Sequence, residues 1–339
     1  MASYSWEMRT YDQEIVEREL KSFLPDRLFD AHAHLHELSH YGSTEPGSPF
    51  ASHLKFLGNA PPRLGLPEYR EHMKWLAPDS RVDGLFMPTA LMGEPSVINS
   101  FVASEVAGDP DCFAGMAVRP DMDPEQVREE VRRRNFVGLK PYHVHAGAQP
   151  TWNADIERFL PEPLVKVAHE ERLCITLHLV KRRALADPGN QQAIRRYCEK
   201  YPNMKLILAH AARGFNPHHT IEGIGALSGL RNVWCDTAAV TDCGAFEAVV
   251  RTLGHERLLF GTDFFISHIR GRCVAIADSF AWLYEDTLDW SEAAYAQVQP
   301  TLIGIESLRC LKLAAMNLRL TDRQVEDVFY HNARALLDR

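Results

Sequence analysis

The sequence predicts an α/β protein folded as a (β/α)8 barrel with helical extensions at both ends. Eight short apolar runs are continuous rather than alternating, which is typical of parallel strands covered by helices. Helical patterns lie between most of these runs, and successive runs are separated by about one βαβ repeat. The 339 residues suffice for one such barrel, which takes roughly 250 residues before extensions are added.

The strands and helices follow one another in a regular order. The helix predicted over residues 123–134 begins with Asp-Pro and carries Val127 and Val131 one turn apart on the same face. Because parallel neighbours are joined by right-handed crossovers, eight such repeats close into a barrel. The predicted strands are residues 28–34, 84–89, 113–119, 137–142, 173–179, 205–211, 233–238 and 258–264, and the clearest helices are 123–134, 161–171 and 191–200.

The flanking segments are predicted to be helical parts of one domain spanning residues 1–339. Residues 1–27 form an N-terminal helical extension, residues 28–265 hold the barrel strands, and residues 266–339 supply C-terminal helices that complete the barrel. Within the last segment, residues 271–286 and 304–337 are expected to be helical, and Gln324 stands at capping-box spacing from Thr321. Trp75 and Trp282 are expected to pack between helices.

A long loop over residues 42–67, rich in Gly, Pro and Ser, follows the first strand. Loops after barrel strands lie at the face where barrel enzymes place their active sites. This loop is therefore either a lid over that face or a surface insertion without a role in the site.

The net charge and the hydropathy of the chain exclude several classes of binding partner. The net charge of −8 argues against nucleic acid or an anionic membrane, and no apolar run approaches the ~20 residues of a membrane span. The N-terminus lacks the apolar core of a secretory signal. We expect a cytoplasmic protein, either a monomer or a homodimer, that acts on a small molecule. The cysteines agree with a reducing compartment, because they are scattered and never form a CxxC pair: Cys112, Cys174, Cys198, Cys235, Cys243, Cys273 and Cys310.

Polar residues close several of the predicted strands. His32 and His34 are two apart on the first strand and therefore point to the same side. His178, His210 and Asp263 end the fifth, sixth and eighth strands, so all five side chains should meet at the C-terminal rim of the barrel. Buried polar groups are costly unless paired, and imidazoles with a carboxylate suit a catalytic metal site that keeps an open position.

Lys140 closes the fourth strand and has three interpretations: a cation that binds substrate, a carboxylated bridge between two metals, or a surface lysine. Other cationic or polar groups follow the strands and could bind a substrate carboxylate. Arg119 is the first choice because it lies closest to its strand end. The remaining candidates are Tyr142, His143, Arg213 and His268, with His145, Lys181, Arg182 and Arg270 nearby in sequence.

The motifs FDAHAHLHE, VGLKPY, LAHAAR, LLFGTDF and HNARALL, taken together, resemble the amidohydrolase superfamily and within it the amidohydrolase-2 branch. The resemblance runs from about residue 28 to residue 337. It implies a distorted barrel of the metal-dependent hydrolase type that holds one divalent metal ion. Zinc is the first expectation and Mn, Fe or Co are alternatives. A second metal is implied only if Lys140 is carboxylated. The implied ligands are His32, His34, His178 and Asp263, and His210 would contact the bound water or substrate.

The branch contains hydrolases of lactones and amides as well as nonoxidative decarboxylases, and the fold does not separate these activities. We expect a hydrolase that cleaves a C–O or C–N bond of a small, carboxylate-bearing substrate with metal-activated water. Asp263 would transfer the proton, and His210 would stabilise the oxyanion. The alternatives are a decarboxylase of an unsaturated or aromatic acid and a barrel that binds a ligand without chemistry.

Overall fold

The computed structural model describes residues 5–41, 60–89, 93–147, 150–287, 289–295 and 297–338. Within them, nine strands form one curled sheet in the order β2-β1-β3-β4-β5-β6-β7-β8-β9, and every pair except β1 with β2 is parallel. Each of the eight predicted strands overlaps one of the parallel strands, so the predicted barrel is confirmed. The strands are β1 Arg27–Glu37, β2 Arg63–Leu64, β3 Arg81–Pro88, β4 Phe113–Val118, β5 Gly138–Pro141, β6 Cys174–Leu177, β7 Lys205–Leu208, β8 Val233–Asp236 and β9 Leu258–Leu259.

The barrel closes where the chain after β9 returns to β1. The Ala31 amide donates to the Phe260 carbonyl at 2.8 Å, and the His34 amide donates to the Phe264 carbonyl at 2.8 Å. The Asp263 amide donates in return to the His32 carbonyl at 2.8 Å. This seam places Asp263 directly beside His32 and His34, although the two segments are more than 200 residues apart in the chain.

Helices cover the outside of the sheet, and they begin where the sequence signals place them. The Asp123 side chain accepts hydrogen bonds from the amides of Glu125 and Gln126, and the Thr321–Gln324 capping box is present. None of the helices in the described part of the chain is long and apolar enough to cross a membrane. The α-helices are Thr10–Ile15, Leu66–Met73, Pro95–Val106, Pro124–Arg134, Ile156–Phe159, Glu162–Glu170, Pro188–Lys200, Pro217–Gly223, Cys243–Leu253, Ile303–Leu318, Asp322–Glu326 and Asn332–Leu337, with π-helical turns at Val16–Leu20 and Asp327–His331.

Of the described residues that precede β1, 5–26, only residues 10–20 are helical, whereas the predicted helical extension covers 1–27. This N-terminal segment is held to the barrel by a buried ion pair between Asp12 and Arg270, whose two contacts measure 3.0 and 2.5 Å. The hydroxyl of Thr301 also donates to Asp12 at 2.6 Å. Arg270 thus has a structural role in this ion pair and does not line the cavity described below.

The prediction of a helix over residues 271–286 is wrong. These residues form an antiparallel hairpin of β10 Gly271–Ile276 and β11 Ser279–Tyr284, with Ala277 and Asp278 at the turn. Alternate residues of β11 point to one side, and this places Phe280, Trp282 and Tyr284 on the same face. Trp282 therefore belongs to a hairpin and does not pack between helices as predicted.

Part of the predicted 42–67 loop is ordered against the first strand. β2 pairs with the end of β1 through His36 and Leu64, and a helix begins at Leu66. The lid interpretation concerns mainly residues 42–59, which lie outside the described residues.

Candidate metal centre and active site

Two histidines from β1 and the aspartate after β9 converge at the C-terminal end of the barrel. Asp263 Oδ1 lies 3.2 Å from His34 Nε2 and 3.6 Å from His32 Nε2. Donor atoms bound at about 2.1 Å to a tetrahedral ion stand roughly 3.4 Å apart, so these separations suit a shared cation. The three side chains form a group that could hold a metal ion.

The imidazole orientations also suit a cation. His32 Nδ1 lies 2.9 Å from Asp236 Oδ2, His34 Nδ1 lies 3.2 Å from the Pro88 carbonyl, and His210 Nδ1 lies 2.8 Å from the Ala238 carbonyl. Each of these oxygens is an acceptor, so each Nδ1 carries the proton and each Nε2 keeps its lone pair. Such oxygen partners on the remote ring nitrogen are the usual support of metal-binding histidines.

His178 reaches the same region from the end of β6. Its ring centroid lies 5.0 Å from that of His210, and its buried Nδ1 has no hydrogen-bond partner among the described residues. Burial, with help from His210 and Arg213, holds the pKa of His178 well below its ordinary value, so its imidazole is neutral. The structure thus brings all five predicted site residues to one cavity, and His178 is not part of the close His32–His34–Asp263 group.

Asp236, at the end of β8, is a site residue that the sequence reasoning missed. One carboxylate oxygen accepts from His32, and the other accepts from the backbone amides of His210 and Ala238 at 2.7 and 3.1 Å. A single buried side chain therefore orients two of the site histidines. The sequence pattern that could have identified Asp236 is the same one that identifies Asp263: an acidic residue at the end of a buried apolar strand.

Asp30 lies below the histidines and supports the backbone that carries Asp263. Its carboxylate accepts hydrogen bonds from Tyr69, from both the amide and the hydroxyl of Thr262, and from the amide of His32, at distances between 2.5 and 3.0 Å. Burial raises the pKa of Asp30 to about 7 despite these donors. Asp30 is thus engaged on all sides by the protein.

Lys140 is fully buried at the same floor, which excludes the surface-lysine interpretation. Its Nζ donates to His32 Nε2 at 3.0 Å. Burial lowers the pKa of Lys140 to about 8, against the attraction of Asp263 and Asp236. A lysine whose pKa lies near neutral pH, and which stands next to the His32–His34–Asp263 group, suits either substrate binding or carboxylation.

The chain turns left-handed immediately after β7. His210, Ala211, Ala212 and Arg213 all have φ between 49° and 61°, and none of the four is glycine. The turn ends β7 three residues before the predicted limit. It directs His210 to the floor of the cavity and Arg213 to its side wall.

A cavity of about 620 Å³ opens above these residues. Arg213 stands on its wall, whereas Lys140 lies at its floor. The Arg213 guanidinium donates to the Lys181 carbonyl at 2.8 Å and lies over the ring of Phe280 at 5.1 Å. Most of the remaining wall is aromatic. The lining comprises His32, His34, Thr89, Lys140, Tyr142, Trp152, His178, His210, Arg213, Phe215, Asp263, Phe265, Ile266, Phe280, Trp282 and Tyr284.

Three of the predicted substrate-binding residues do not line this cavity. Arg119 donates to the Gly93 carbonyl at 2.6 Å and borders a separate small cleft. His268 is enclosed by Ser267 and the His72 carbonyl and stacks on Trp6 at 5.5 Å. His143 is buried behind the wall, with its ring 5.9 Å from that of His178. The position of Arg119 next to its strand end therefore does not bring it into the cavity, because its guanidinium binds the Gly93 carbonyl instead.

The amidohydrolase family model matches residues 29–339. Among curated proteins, no significant match to this sequence is found. Solved structures with the same fold include a zinc-bound amidohydrolase from Burkholderia multivorans (TM-score 0.57, 13% identity, covering 91% of this chain and 98% of that one). A 4-oxalomesaconate hydratase from Rhodopseudomonas palustris matches with a TM-score of 0.55 and 13% identity, covering 91% of this chain and 95% of that one. A 2,6-dihydroxybenzoate decarboxylase from Rhizobium matches with a TM-score of 0.52 and 13% identity, covering 92% of this chain and 98% of that one. At these identities the likeness shows the fold alone.

Proposed function

Since this chain belongs to the amidohydrolase family over residues 29–339, we propose that it is a metal-dependent hydrolase of a small carboxylate-bearing lactone or amide. The observation that carries the proposal is the convergence of His32, His34 and Asp263 at the floor of a cavity that also holds Arg213. A binding barrel without chemistry would not need this donor group.

His32, His34 and Asp263, with His178 close by, would hold one divalent ion. Zinc is the proposed metal, supported by the donor set and by the zinc-bound relative. When bound there, the ion lowers the pKa of a water molecule towards neutrality and polarises a carbonyl group. Lys140 is then free to bind the substrate, unless it is carboxylated and bridges a second ion.

The protein groups divide the remaining work. Burial alone raises the pKa of Asp263, but the contact of its Oδ1 with His34 Nε2 at 3.2 Å and the neighbouring His210 and His32 hold that pKa below the ordinary value. Asp263 is therefore ionised and ready to accept the proton of the attacking water, and it returns this proton to the leaving oxygen or nitrogen. His210, with its Nδ1–H on the Ala238 carbonyl, directs Nε2 towards the same space. In its doubly protonated form it donates from Nε2 to the carbonyl oxygen and stabilises the charge that develops there.

A decarboxylase of an unsaturated or aromatic acid is the second candidate. The aromatic walls of the cavity favour it, because a carboxylate held against them and away from Arg213 loses water, which destabilises its charge and eases loss of CO2. In that reaction the C–C bond breaks, its electron pair remains on the ring carbon, and a site acid supplies the proton.

Elemental analysis of protein purified without chelators is the first test. About one equivalent of metal per chain supports the single site, and about two support a carboxylated Lys140. Absence of metal after reconstitution would contradict the proposal. The loaded protein is then offered lactones, amides and aromatic acids, and acid release and CO2 are measured in parallel. CO2 without acid release would favour the second candidate.

A further inference from the structure

The hairpin of β10 and β11 forms one wall of the cavity. Phe280, Trp282 and Tyr284 line the cavity from alternate positions of β11. The rings of Trp282 and Tyr284 are nearly parallel, with centroids 5.6 Å apart and an interplanar angle of 5°. Phe215 links this wall to the site floor, because its ring lies 5.2 Å from Phe280 and Trp282 and 5.0 Å from His210.

The hairpin is fixed in place at its tip. The side-chain amide of Asn216, which is fully buried, donates to the carbonyls of Ala277 and Ser279 at 3.0 and 2.8 Å. Asp278, at the turn, pairs with His219 at 3.0 Å and with Arg182 at 3.3 Å.

The base of the hairpin is fixed as well. The hydroxyl of Thr241 donates to the Cys273 carbonyl at 2.8 Å and accepts from the Cys273 amide at 3.1 Å. With both ends held, the aromatic face is a preformed wall.

Arg213 stands at the edge of this wall with unused hydrogen-bonding capacity. No carboxylate of the described residues lies within 4.0 Å of its guanidinium, and its buried Nε has no partner among them. Burial lowers the pKa of Arg213, which is the cost of holding a cation in this position without a counter-charge. A bound carboxylate would supply that charge through a paired, charge-assisted contact.

We propose that Phe280, Trp282 and Phe215 form a subsite for a flat, unsaturated ring, and that Arg213 takes a carboxylate carried by that ring. The natural substrate is then a planar cyclic acid, and the hairpin selects it against saturated rings of the same charge. Ring faces stack favourably on aromatic side chains, and guanidinium matches carboxylate in both shape and charge. The inference rests on the proposed function only in placing the substrate in this cavity.

Calorimetric titration of the metal-loaded protein tests the subsite. The probes are benzene-1,3-dicarboxylate, the saturated cyclohexane-1,3-dicarboxylate, and the uncharged benzene-1,3-dicarboxamide. The aromatic acid should bind about two- to twelvefold more tightly than the saturated acid. Trp282→Leu and Phe280→Leu keep apolar bulk and should bring this ratio towards one. Arg213→Met should weaken both acids roughly tenfold to a hundredfold and leave the diamide unchanged.

Ile276→Ala is the matched control, because Ile276 lies on the same hairpin, is 56% exposed and does not line the cavity. It should keep the native ratio. Equal affinity for the two acids in the native protein, a ratio that survives both leucine substitutions, or no binding of either acid would overturn the subsite. Probe binding requires no turnover, so a protein that prefers the flat acid but neither hydrolyses nor decarboxylates would overturn only the proposed function.

Discussion

Asp236→Asn is expected to weaken metal binding, because Asp236 sets the orientation and protonation of His32. One oxygen of Asp236 accepts from the amides of His210 and Ala238 at 2.7 and 3.1 Å, and the other accepts from His32 Nδ1 at 2.9 Å. An asparagine keeps its amide oxygen on the two backbone amides, so its NH2 group faces His32. Because NH2 only donates, His32 must carry its proton on Nε2, the atom that faces Asp263.

The expected loss of affinity is roughly ten- to a hundredfold, which corresponds to about 1.4 to 2.8 kcal/mol. Metal-free protein is titrated with Zn²⁺ in competition with a chromophoric chelator of known affinity. Asp83→Asn is the matched control: Asp83 is also buried, but it pairs with Arg27 and Arg81 at 3.2 and 3.1 Å and does not line the cavity. Thermal unfolding shows whether each variant is folded.

Native affinity in folded Asp236→Asn would refute the orienting role of this carboxylate. An equal loss of affinity in Asp83→Asn would refute it as well, because the effect would then follow from burial of an altered carboxylate anywhere in the barrel.

Further predictions concern Asp263, Arg119 and the Asp12–Arg270 pair. Asp263→Asn should lower kcat by roughly 10²- to 10⁴-fold where elemental analysis shows that metal is retained, and a native kcat would remove Asp263 as proton carrier. Arg119→Met should leave KM for an acidic substrate within about twofold, because its guanidinium binds a backbone carbonyl outside the cavity. A strongly raised KM in steady-state kinetics would contradict this placement. Asp12→Asn leaves the buried Arg270 unpaired and should lower the free energy of unfolding by about 3 to 5 kcal/mol in urea, and an unchanged free energy would contradict the role of the pair. Burial alone raises the pKa of Asp12, but the bonds from Arg270 and Thr301 hold it below the ordinary value, so its contribution is complete at neutral pH and is lost as pH falls below about 4. Native protein should therefore lose stability more steeply than Asp12→Asn between about pH 5 and 3, and parallel curves would show that protonation of Asp12 does not destabilise the fold.

The barrel could be predicted because its signal is repeated. Each parallel strand is buried on both sides, so it appears as a continuous apolar run, and the polar residue that closes it stands out. The same regularity locates His32, His34, His178, His210 and Asp263 from the sequence alone. It also marks Asp236, which ends a strand in the same way but was absent from the predicted site.

The hairpin and the direction of the arginines could not be predicted in this way. A two-residue hairpin turn normally has Gly or Asn, whereas here Ala277 adopts a φ of 49°. Asn216, some 60 residues earlier, donates to the carbonyls of Ala277 and Ser279. The stabilising contact is distant in sequence, so no local pattern reveals the turn. Arg119 and Arg213 likewise both follow strands, and only the left-handed turn at Arg213 aims a guanidinium into the cavity.

That left-handed turn has a consequence for how the protein tolerates change. Left-handed backbone costs a residue with a Cβ roughly 1 to 2 kcal/mol, so the four residues from His210 to Arg213 hold on the order of 4 to 8 kcal/mol. The whole net stability of a domain is typically about 5 to 15 kcal/mol. Packing elsewhere in the barrel must offset this strain. The free energy of unfolding that remains to tolerate mutations therefore depends on the distant core. Substitutions far from the cavity that weaken the core therefore reduce the reserve that keeps His210 and Arg213 in position.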